Sequence, residues 1–414
     1  MAEDWGAERA RPVAVGPPRR GLSRAERARK ARNDRKRRLA RALSLALLIV
    51  VAVGAVFLGS KLWHSMSGSS NDYAGEGVAD VVIQVHDGDS TTAIGQTLVE
   101  NNVIATVKSF VEAAQGNEAI SAIQPGFYKV RTEIPAANAV DRLADPENRV
   151  GKLTIPEGRQ LDDITDVKTN AVTAGIFSLI SQASCVELDG EKRCVPVEDL
   201  RAAAGAAPAA ALAVPPWATQ PVAAMGADHR RLEGLIAPGT WNIDPDASAQ
   251  DILSNLIAAS SAVYTQSGLL DTAAAMKMSP YEVLTVASLV QRESKPQDFS
   301  KVSRVIYNRL AEHRKLEFDS TVNYSLDRQE VATTDADRAQ VTPWNTYASE
   351  GLPRTPICSP GTEALGSAEH PEPGDWLYFV TIDMQGTTLF TRDYDQHLAN
   401  IEIAQRNGVL DSAR

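Results

Sequence analysis

The chain has 414 residues and a formal net charge of −10, so it is too long for one compact core and should form two or three folded units. Apolar residues make up 43% and charged residues 23%, which excludes a largely disordered chain, and three cysteines exclude a scaffold built on disulfides. The sequence contains no H-E-x-x-H, G-x-S-x-G, S-x-x-K or P-loop pattern, which argues against the common zinc-protease, serine-hydrolase, penicillin-binding and nucleotide-binding classes.

The N-terminal end is strongly basic: residues 1–41 hold 14 Lys/Arg against 5 Asp/Glu, which leaves a net −19 for the rest of the chain. Residues 42–60 then run for 19 positions without a charge, long enough to cross a bilayer as a helix. The positive-inside rule predicts a cytoplasmic segment (1–41), one transmembrane helix (42–60) in the cell membrane and an extracytoplasmic remainder. A cleaved signal peptide and a buried core helix are the alternatives. Topology and anionic lipid explain the basic residues, so no nucleic acid is predicted as a partner.

Residues 61–79 are rich in Ser, Gly and Asn and are predicted to be a flexible tether. A first small unit is predicted over residues 80–150. Its expected elements are a strand at Val81–Val85, helices at Thr91–Asn101 and Val107–Ala114, and a strand at Gly126–Val130.

A larger unit is predicted over residues 151–407, followed by a tail at 408–414. Composition shifts at about 184–228, where Ala and Pro dominate Ala202–Ala224. This stretch is interpreted as a mobile insertion or linker, because prolines interrupt any membrane helix there. The other expected elements are a strand at Lys152–Gly158, helices at Asp162–Ala174, Ala249–Ser260, Ser279–Glu293, Lys301–His313 and Asp395–Asn407, and a hairpin of Trp376–Ile382 with Thr387–Thr391.

The helix at residues 279–293 carries the most informative side chain. Ser279 and Glu282 have the spacing of a capping box. At roughly 100° per residue, Glu293 lies about 20° from Val286, so it extends the apolar stripe of the helix. A carboxyl group buried there would have a raised pKa and stay protonated near neutral pH, as a general acid requires. From geometry alone, an ion pair with a nearby arginine or a frayed helix end is the favoured alternative.

The fragments ASLVQRES, KVSRVIYNRL, LEFDSTVNY, WNTY, GLPRTPICSPG and a closing YFV…F…H resemble, in order and spacing, the bacterial endolytic murein transglycosylases called MltG, or YceG-like proteins. The resemblance covers roughly Asp80–Asn407, and the Ala/Pro-rich insertion looks like an actinobacterial variant. It implies an α+β fold with one N-terminal transmembrane helix, a small LysM-like module at 80–150 and a mixed α/β YceG-like catalytic domain at 151–407.

The resemblance also implies an activity. The family consists of lyases that cleave the MurNAc–GlcNAc bond inside nascent peptidoglycan strands, leave 1,6-anhydro-MurNAc ends and so terminate glycan elongation. Implied partners are glycan strands, the membrane and peptidoglycan synthases, with neither a cofactor nor a metal. The family's catalytic glutamate, in the motif A-S-[IL]-V-x-[KR]-E, corresponds to Glu293, and Gln291 stands where many members have a second glutamate. The segments TIPEG and LEGLIAPGTW are similar to family segments as well.

One carboxyl group suffices for such a reaction, whereas glycosidases that use water generally need two. Glu293 would protonate the glycosidic oxygen and then accept the proton of the C6 hydroxyl. Short amides, hydroxyls and aromatic rings suit sugar binding. The substrate-binding candidates are Asn308, Asp319, Ser320, Asn345, Thr346, Tyr347 and His397. Each of them alone is more often a turn or core hydrogen-bonder, and His397 could equally cap the last helix.

Cys185 and Cys194 are expected to form a disulfide, since the compartment permits it and Asp189-Gly190 supplies a turn between them. Cys358 would then be a buried free thiol, and two free thiols in the insertion are the alternative. Two other functions remain open at this stage. One is a non-catalytic glycan-binding scaffold of the cell-wall synthesis machinery, and the other is a secreted hydrolase that makes reducing ends.

Overall fold

The computed structural model describes residues 72–326 and 333–409. The predicted cytoplasmic segment and transmembrane helix therefore lie outside the described residues, as does most of the tether. Of the helices that are described, none is both long and apolar enough to cross a bilayer. The described chain is a mixed α/β structure with two separate hydrophobic cores.

The first core belongs to a small unit, and the predicted elements of that unit are present. An antiparallel sheet of order β1-β2-β3 packs against three helices. The elements are β1 (Asp80–Val85), α1 (Thr91–Glu100), α2 (Val107–Ala114), β2 (Gly126–Arg131), α3 (Ala136–Ala144) and β3 (Arg149–Val150). Serine and threonine side chains cap α1 and α2, since Ser90 and Thr106 accept the N–H groups of Ala93 and Ser109. The sequence did not predict α3.

The second core belongs to a larger unit that begins at β4 and is mainly helical. Its described helices are α4 (Ile176–Ala183), α5 (Val197–Ala206), α6 (Thr219–Ala224), α7 (Ala249–Gln266), α8 (Leu269–Met276), α9 (Pro280–Glu293), α10 (Phe299–Ala311), α11 (Asp319–Asn323), α12 (Asp335–Ala339), α13 (Thr362–Glu369) and α14 (Tyr394–Arg406). Its strands form antiparallel pairs: β4 (Lys152–Ile155) with β9 (Gly239–Asn242), β5 (Ile164–Thr165) with β6 (Val172–Thr173), β7 (Val186–Leu188) with β8 (Glu191–Arg193), and β10 (Tyr378–Thr381) with β11 (Thr388–Thr391).

Helix α9 runs through the middle of the second core. It packs against α8, α10, α11 and α13, and its residues from Val283 to Val290 are all buried. A helix that is apolar on every side is expected in such a position. Its N-terminus has the predicted capping box, in which Ser279 and Glu282 exchange hydrogen bonds. Only the ends of α9 reach solvent, which places Glu293 at the edge of the core.

The prediction of a helix at Asp162–Ala174 is wrong, because this stretch forms the β5–β6 hairpin. The carboxylate of Asp166 accepts the backbone N–H groups of Lys168 and Thr169 and the Thr169 hydroxyl. Asn170 follows with a φ of +56°, in the left-handed region. These local hydrogen bonds compete with a helix and close the turn instead.

The prediction of a mobile linker at Ala202–Ala224 is also wrong. The stretch forms the end of α5, a 3₁₀ turn at Pro216–Ala218 and α6, and Leu212 and Val222 are completely buried in the second core. The buried guanidinium of Arg231 donates hydrogen bonds to carbonyl groups in this stretch. Alanines allow such close packing at little cost in side-chain entropy, so an Ala-rich composition did not mean mobility here.

The two sheets on either side of the boundary between the units are joined by one residue, Gly151, which lies between β3 and β4. Its φ is +68°, and a Cβ atom there would overlap the carbonyl oxygen of Ile243. The N–H of Ile243 also donates a hydrogen bond to the carbonyl oxygen of Gly151 at 2.8 Å. Only glycine satisfies both the backbone conformation and the close approach.

A disulfide between Cys185 and Cys194 closes the β7–β8 hairpin, and Cys358 is free and buried. The turn of that hairpin docks on the small unit. The N–H of Asp80 donates to Asp189 Oδ1 at 3.1 Å, and the N–H of Asp189 donates to Asp80 Oδ2 at 3.0 Å. The disulfide therefore stiffens an element that links the two units.

Candidate active site

Glu293 is the last residue of α9, and its half-buried side chain lines a cavity of about 260 Å³. The cavity lies between the end of α9 with the turn that follows it and the β10–β11 hairpin. The residues that line it with Glu293 are Arg292, Ser294, Lys295, Asp298, Phe379, Thr381, Gly386 and Thr388. A carboxyl group at this position can reach both the core and a bound ligand.

The pKa of Glu293 is raised to about 7. Burial is the main cause, and the neighbouring Asp319 carboxylate acts in the same direction, while Ser320 and the Arg292 guanidinium oppose it. Ser320 Oγ is buried, and the hydroxyl and the backbone N–H of Ser320 favour the charged form of Glu293. Near neutral pH the Glu293 carboxyl can therefore be populated in both its acid and its base form.

Asp319 begins α11 and is held by three side chains. Its Oδ1 accepts hydrogen bonds from Thr333 Oγ1 at 2.6 Å and Tyr347 Oη at 2.8 Å. Arg338 completes the set with Nε on Oδ1 at 3.2 Å and Nη2 on Oδ2 at 3.1 Å. Asp319 is thus a fixed carboxylate next to Glu293. Across residues 72–326 and 333–409, no three His, Cys, Asp or Glu side chains come together as a metal site.

Asn345 and Thr346 support this cluster from behind. Asn345 is 1% exposed: its Nδ2 donates to the carbonyl of Arg338, and its Oδ1 accepts the N–H of Tyr347 at 2.8 Å. Thr346 Oγ1 accepts the N–H of Phe318 at 3.0 Å, just before α11. Neither residue lines the Glu293 cavity, and their contacts position Tyr347 and α11.

The other two candidates have neighbours elsewhere. Asn308 donates to the carbonyl of Trp376 at 2.9 Å, which ties α10 to the segment before β10. His397 stacks on Tyr378 with ring centroids 4.9 Å apart, and burial together with Arg309 lowers its pKa. Neither side chain lines the cavity next to Glu293, so the structure does not bring them to that carboxyl group.

Sequence reasoning missed Glu233, which is only 1% exposed. Its Oε2 accepts the N–H of Leu161 at 3.1 Å and the hydroxyl of Tyr324 at 2.7 Å, and burial raises its pKa to about 8. Tyr324 is the C-cap residue that directly follows α11, the helix that begins with Asp319 and Ser320. An acidic residue within the apolar run LEGLIAPG was the available signal.

A larger cavity, of about 670 Å³, lies at the other end of α9 and includes Glu282 in its lining. Both the N–H and the hydroxyl of Ser279 donate to Glu282 Oε2 at 2.8 Å, so this carboxylate is committed to the capping box. Eleven residues of helix separate it from Glu293, about 16 Å along the axis. We therefore assign the chemistry to the smaller cavity.

The profile of the YceG-like family matches residues 83–403. The endolytic murein transglycosylase of Bacillus subtilis strain 168 is 28% identical over 321 residues, which cover 77% of this chain and 82% of that protein. The protein of the same name from Streptococcus pneumoniae strain D39 is 25% identical over 345 residues, and the match covers 78% of this chain but only 58% of the streptococcal protein.

A solved structure of a YceG-like protein from Listeria monocytogenes superposes with a TM-score of 0.50 at 24% identity, covering 77% of this chain and 98% of that one. This similarity shows a shared fold. The family profile spans well over half of the chain, from β1 into α14, and includes Glu293 with the cluster around Asp319. The chain therefore belongs to the YceG-like family.

Proposed function

We propose that this protein is an endolytic lytic transglycosylase of peptidoglycan and that Glu293 is its general acid and base. The observation that carries the proposal is the half-buried Glu293 carboxyl, with a pKa of about 7, in the lining of a cavity. Similarity to the proteins named endolytic murein transglycosylase in B. subtilis and S. pneumoniae supports the same function. Such a pKa suits a group that must give up a proton and take one back within a single turnover.

The reaction needs one carboxyl group. Protonated Glu293 donates its proton to the glycosidic oxygen while the bond from that oxygen to C1 of MurNAc breaks, and the GlcNAc side leaves as an alcohol. The 2-acetamido group of the substrate assists the positive charge that develops at C1. The Glu293 carboxylate then accepts the C6 hydroxyl proton as O6 bonds to C1, which closes the 1,6-anhydro ring and restores the acid.

Asp319 has an electrostatic role in this mechanism. Its carboxylate raises the pKa of Glu293, although Asp319 does not itself line the cavity. Arg338, Thr333 and Tyr347 hold it, so little reorganisation is needed during the reaction. Ser320, whose buried hydroxyl lies beside Glu293, favours the charged form of that carboxyl group.

The second candidate function is a hydrolase, which the proximity of Asp319 to Glu293 favours because water-dependent glycosidases pair two carboxyl groups. Asp319 would then have to activate a water molecule as a base. Its two oxygens already accept four hydrogen bonds, two of them from a guanidinium, and Asp319 does not line the cavity next to Glu293. A non-catalytic scaffold would not require the raised pKa of the Glu293 carboxyl group.

The test is to incubate the full-length protein with uncrosslinked glycan strands and to identify the new ends by mass spectrometry. We expect 1,6-anhydro-MurNAc ends released from internal positions. Reducing ends would establish the hydrolase instead, and a folded protein that binds strands without cutting them would establish the scaffold.

The proposal extends to the rest of the chain. Residues 42–60 would anchor the protein in the cell membrane with the N-terminus in the cytoplasm. Peptidoglycan synthases are its expected partners at the outer face of the membrane. The charge step across the apolar stretch supports this topology. Residues 80–150 would be a LysM-like module that binds GlcNAc-containing glycans, and the separate hydrophobic core of this unit supports an independent role.

A further inference from the structure

Two cationic side chains line the Glu293 cavity, one on each side of that residue in the sequence. Arg292 is the residue before Glu293, and Lys295 lies in the turn after α9. Within the described ranges, neither forms an ion pair with an acidic side chain. An uncompensated basic pair is conspicuous here because the chain beyond residue 41 carries a net −19.

The geometry leaves both cations able to donate to a ligand. Arg292 Nε is buried and has no hydrogen-bond partner among the residues described. The exposed side chain of Lys295 places its ammonium group close to the backbone of Gly386 in the β10–β11 turn. A guanidinium matches the planar geometry of a carboxylate, and an ammonium adds a point charge.

The rest of the lining suits an acidic sugar. Phe379 adds apolar surface on the hairpin side, and Thr381 and Thr388 line the cavity there with their hydroxyls hydrogen-bonded to each other at 3.2 Å. Asp298 is the other fixed charge in the lining, so with Glu293 protonated the cavity keeps one net positive charge. A ligand with one carboxylate group would make the cavity neutral.

We propose that Arg292 and Lys295 form a carboxylate-binding subsite that holds the acidic group of the muramyl unit beside the scissile bond. This inference rests on the proposed function, since it takes its ligand from peptidoglycan. The carboxylate comes either from the lactyl ether of a stripped strand or from the stem peptide attached to it. The Arg292 guanidinium lowers the pKa of Glu293. A substrate carboxylate paired with Arg292 would offset this effect and so keep Glu293 protonated when substrate is bound.

The experiment measures strand binding without cleavage, in full-length protein that carries Glu293→Gln. Three ligands are compared: strands with stem peptides, strands stripped of peptides and bearing free lactyl carboxylates, and strands whose carboxylates have been converted to methylamides. Lys295→Gln is added to this background, with Lys295→Arg as the charge-preserving variant. Lys192→Gln, an exposed lysine on β8, is the matched control for net charge.

We expect Lys295→Gln to raise the Kd for at least one carboxylate-bearing strand about five- to tenfold at low salt and to leave the Kd for the methylamide strand unchanged. Lys295→Arg should restore binding, and Lys192→Gln should have no effect. The strand that loses affinity identifies the carboxylate as lactyl or peptidic. Equal Kd values for all three strands, or an equal loss on the methylamide strand, would overturn the subsite.

Cleavage by the wild-type protein separates this inference from the proposed function. Carboxylate-dependent binding without any anhydro-ended product would retain the subsite and remove the enzyme assignment. Anhydro-ended products with no dependence of binding on Lys295 would retain the enzyme and remove the subsite. A change in kcat and its pH profile at constant Kd would show that Lys295 acts on Glu293 itself, which also overturns the subsite.

Discussion

The carboxyl group of Glu293 is held in a state that costs the protein stability. Its pKa rises from 4.5 to about 7 on folding, so the folded state binds this proton more tightly than the unfolded state. The free energy of unfolding must then fall as the pH rises from about 4.5 through 7, and the loss is complete above the folded pKa. A group retained against such a cost is expected to have a function.

Replacing Glu293 by Gln should abolish cleavage and preserve the fold. The amide neither donates a proton to the leaving oxygen nor accepts one from the C6 hydroxyl, and each transfer contributes roughly 10²–10⁴-fold. The same variant should be more stable than wild type by about 1–3 kcal/mol at pH 8 and equal to it below pH 4. Product analysis and urea unfolding at the two pH values measure both effects.

Glu282→Gln is the matched control on the same helix. Its carboxylate works in the capping box, so the substitution should cost at most about 1 kcal/mol of stability and leave most of the activity. Loss of cleavage in the Glu282 variant, or anhydro-ended products from the folded Glu293 variant at near the wild-type rate, would contradict the assignment.

The pH dependence of the wild-type reaction follows from the same carboxyl group. Protonated Glu293 is the reactive form, so kcat/KM should fall tenfold per pH unit above about 7 on strands whose own groups do not titrate there. Rate measurements between pH 5 and 9 test this. A rate that stays level up to pH 9 would mean that another group supplies the proton.

Glu233 and Tyr324 are expected to position the site without touching the substrate. Tyr324→Phe removes the hydroxyl that donates a hydrogen bond to Glu233 and so weakens the contact at the C-terminal end of α11. We expect kcat to fall several-fold and the free energy of unfolding to fall by about 1–2 kcal/mol. Tyr264→Phe is the control, because it removes a buried hydroxyl that donates to the carbonyl of Gly234. The Tyr264 variant should lose a similar amount of stability and keep its kcat. If kcat falls equally in the Tyr264 and Tyr324 variants, the loss of kcat comes from lower stability and not from positioning.

At the scale of elements, the sequence predicted the helices and strands that are determined by residues close together in the chain. Helix α9 combines a capping box with a continuous apolar run, and both features can be recognised in the sequence. The β5–β6 hairpin was mistaken for a helix because the side-chain hydrogen bonds of Asp166 were not recognised as a turn. The periodicity of α9 predicted that Glu293 extends the apolar stripe of the helix, whereas its catalytic role came from the family resemblance and stays a prediction. The contacts of Asn345 and Glu233 depend on residues distant in sequence.

The Ala/Pro-rich segment provides a test of packing against composition. Leu212 is completely buried, so Leu212→Ala should lower the free energy of unfolding by about 2–5 kcal/mol. Val172→Ala is the control, since Val172 is 62% exposed and its replacement should cost less than about 0.5 kcal/mol. Denaturant unfolding of both variants measures the difference, and a Leu212 variant as stable as wild type would mean that the segment is loose in solution.

At the scale of the whole molecule, the basic N-terminal segment and the acidic body should lie on opposite sides of a membrane. Protease added to spheroplasts should digest residues 61–414 and spare the N-terminal 41, as judged by epitope tags at both ends. Protection of the C-terminal tag in intact spheroplasts, with digestion only after lysis, would reverse the predicted topology.

The single glycine between the two sheets gives the molecule a thermodynamic property. Gly151 is the only residue between β3 and β4, so the two strands cannot move far apart. The two hydrogen bonds between Asp80 and Asp189 join the units at a second point. Unfolding of either core would therefore remove contacts from the other, so we expect the two cores to unfold together. Heat should unfold the two cores of the described residues in one calorimetric transition, with equal van't Hoff and calorimetric enthalpies.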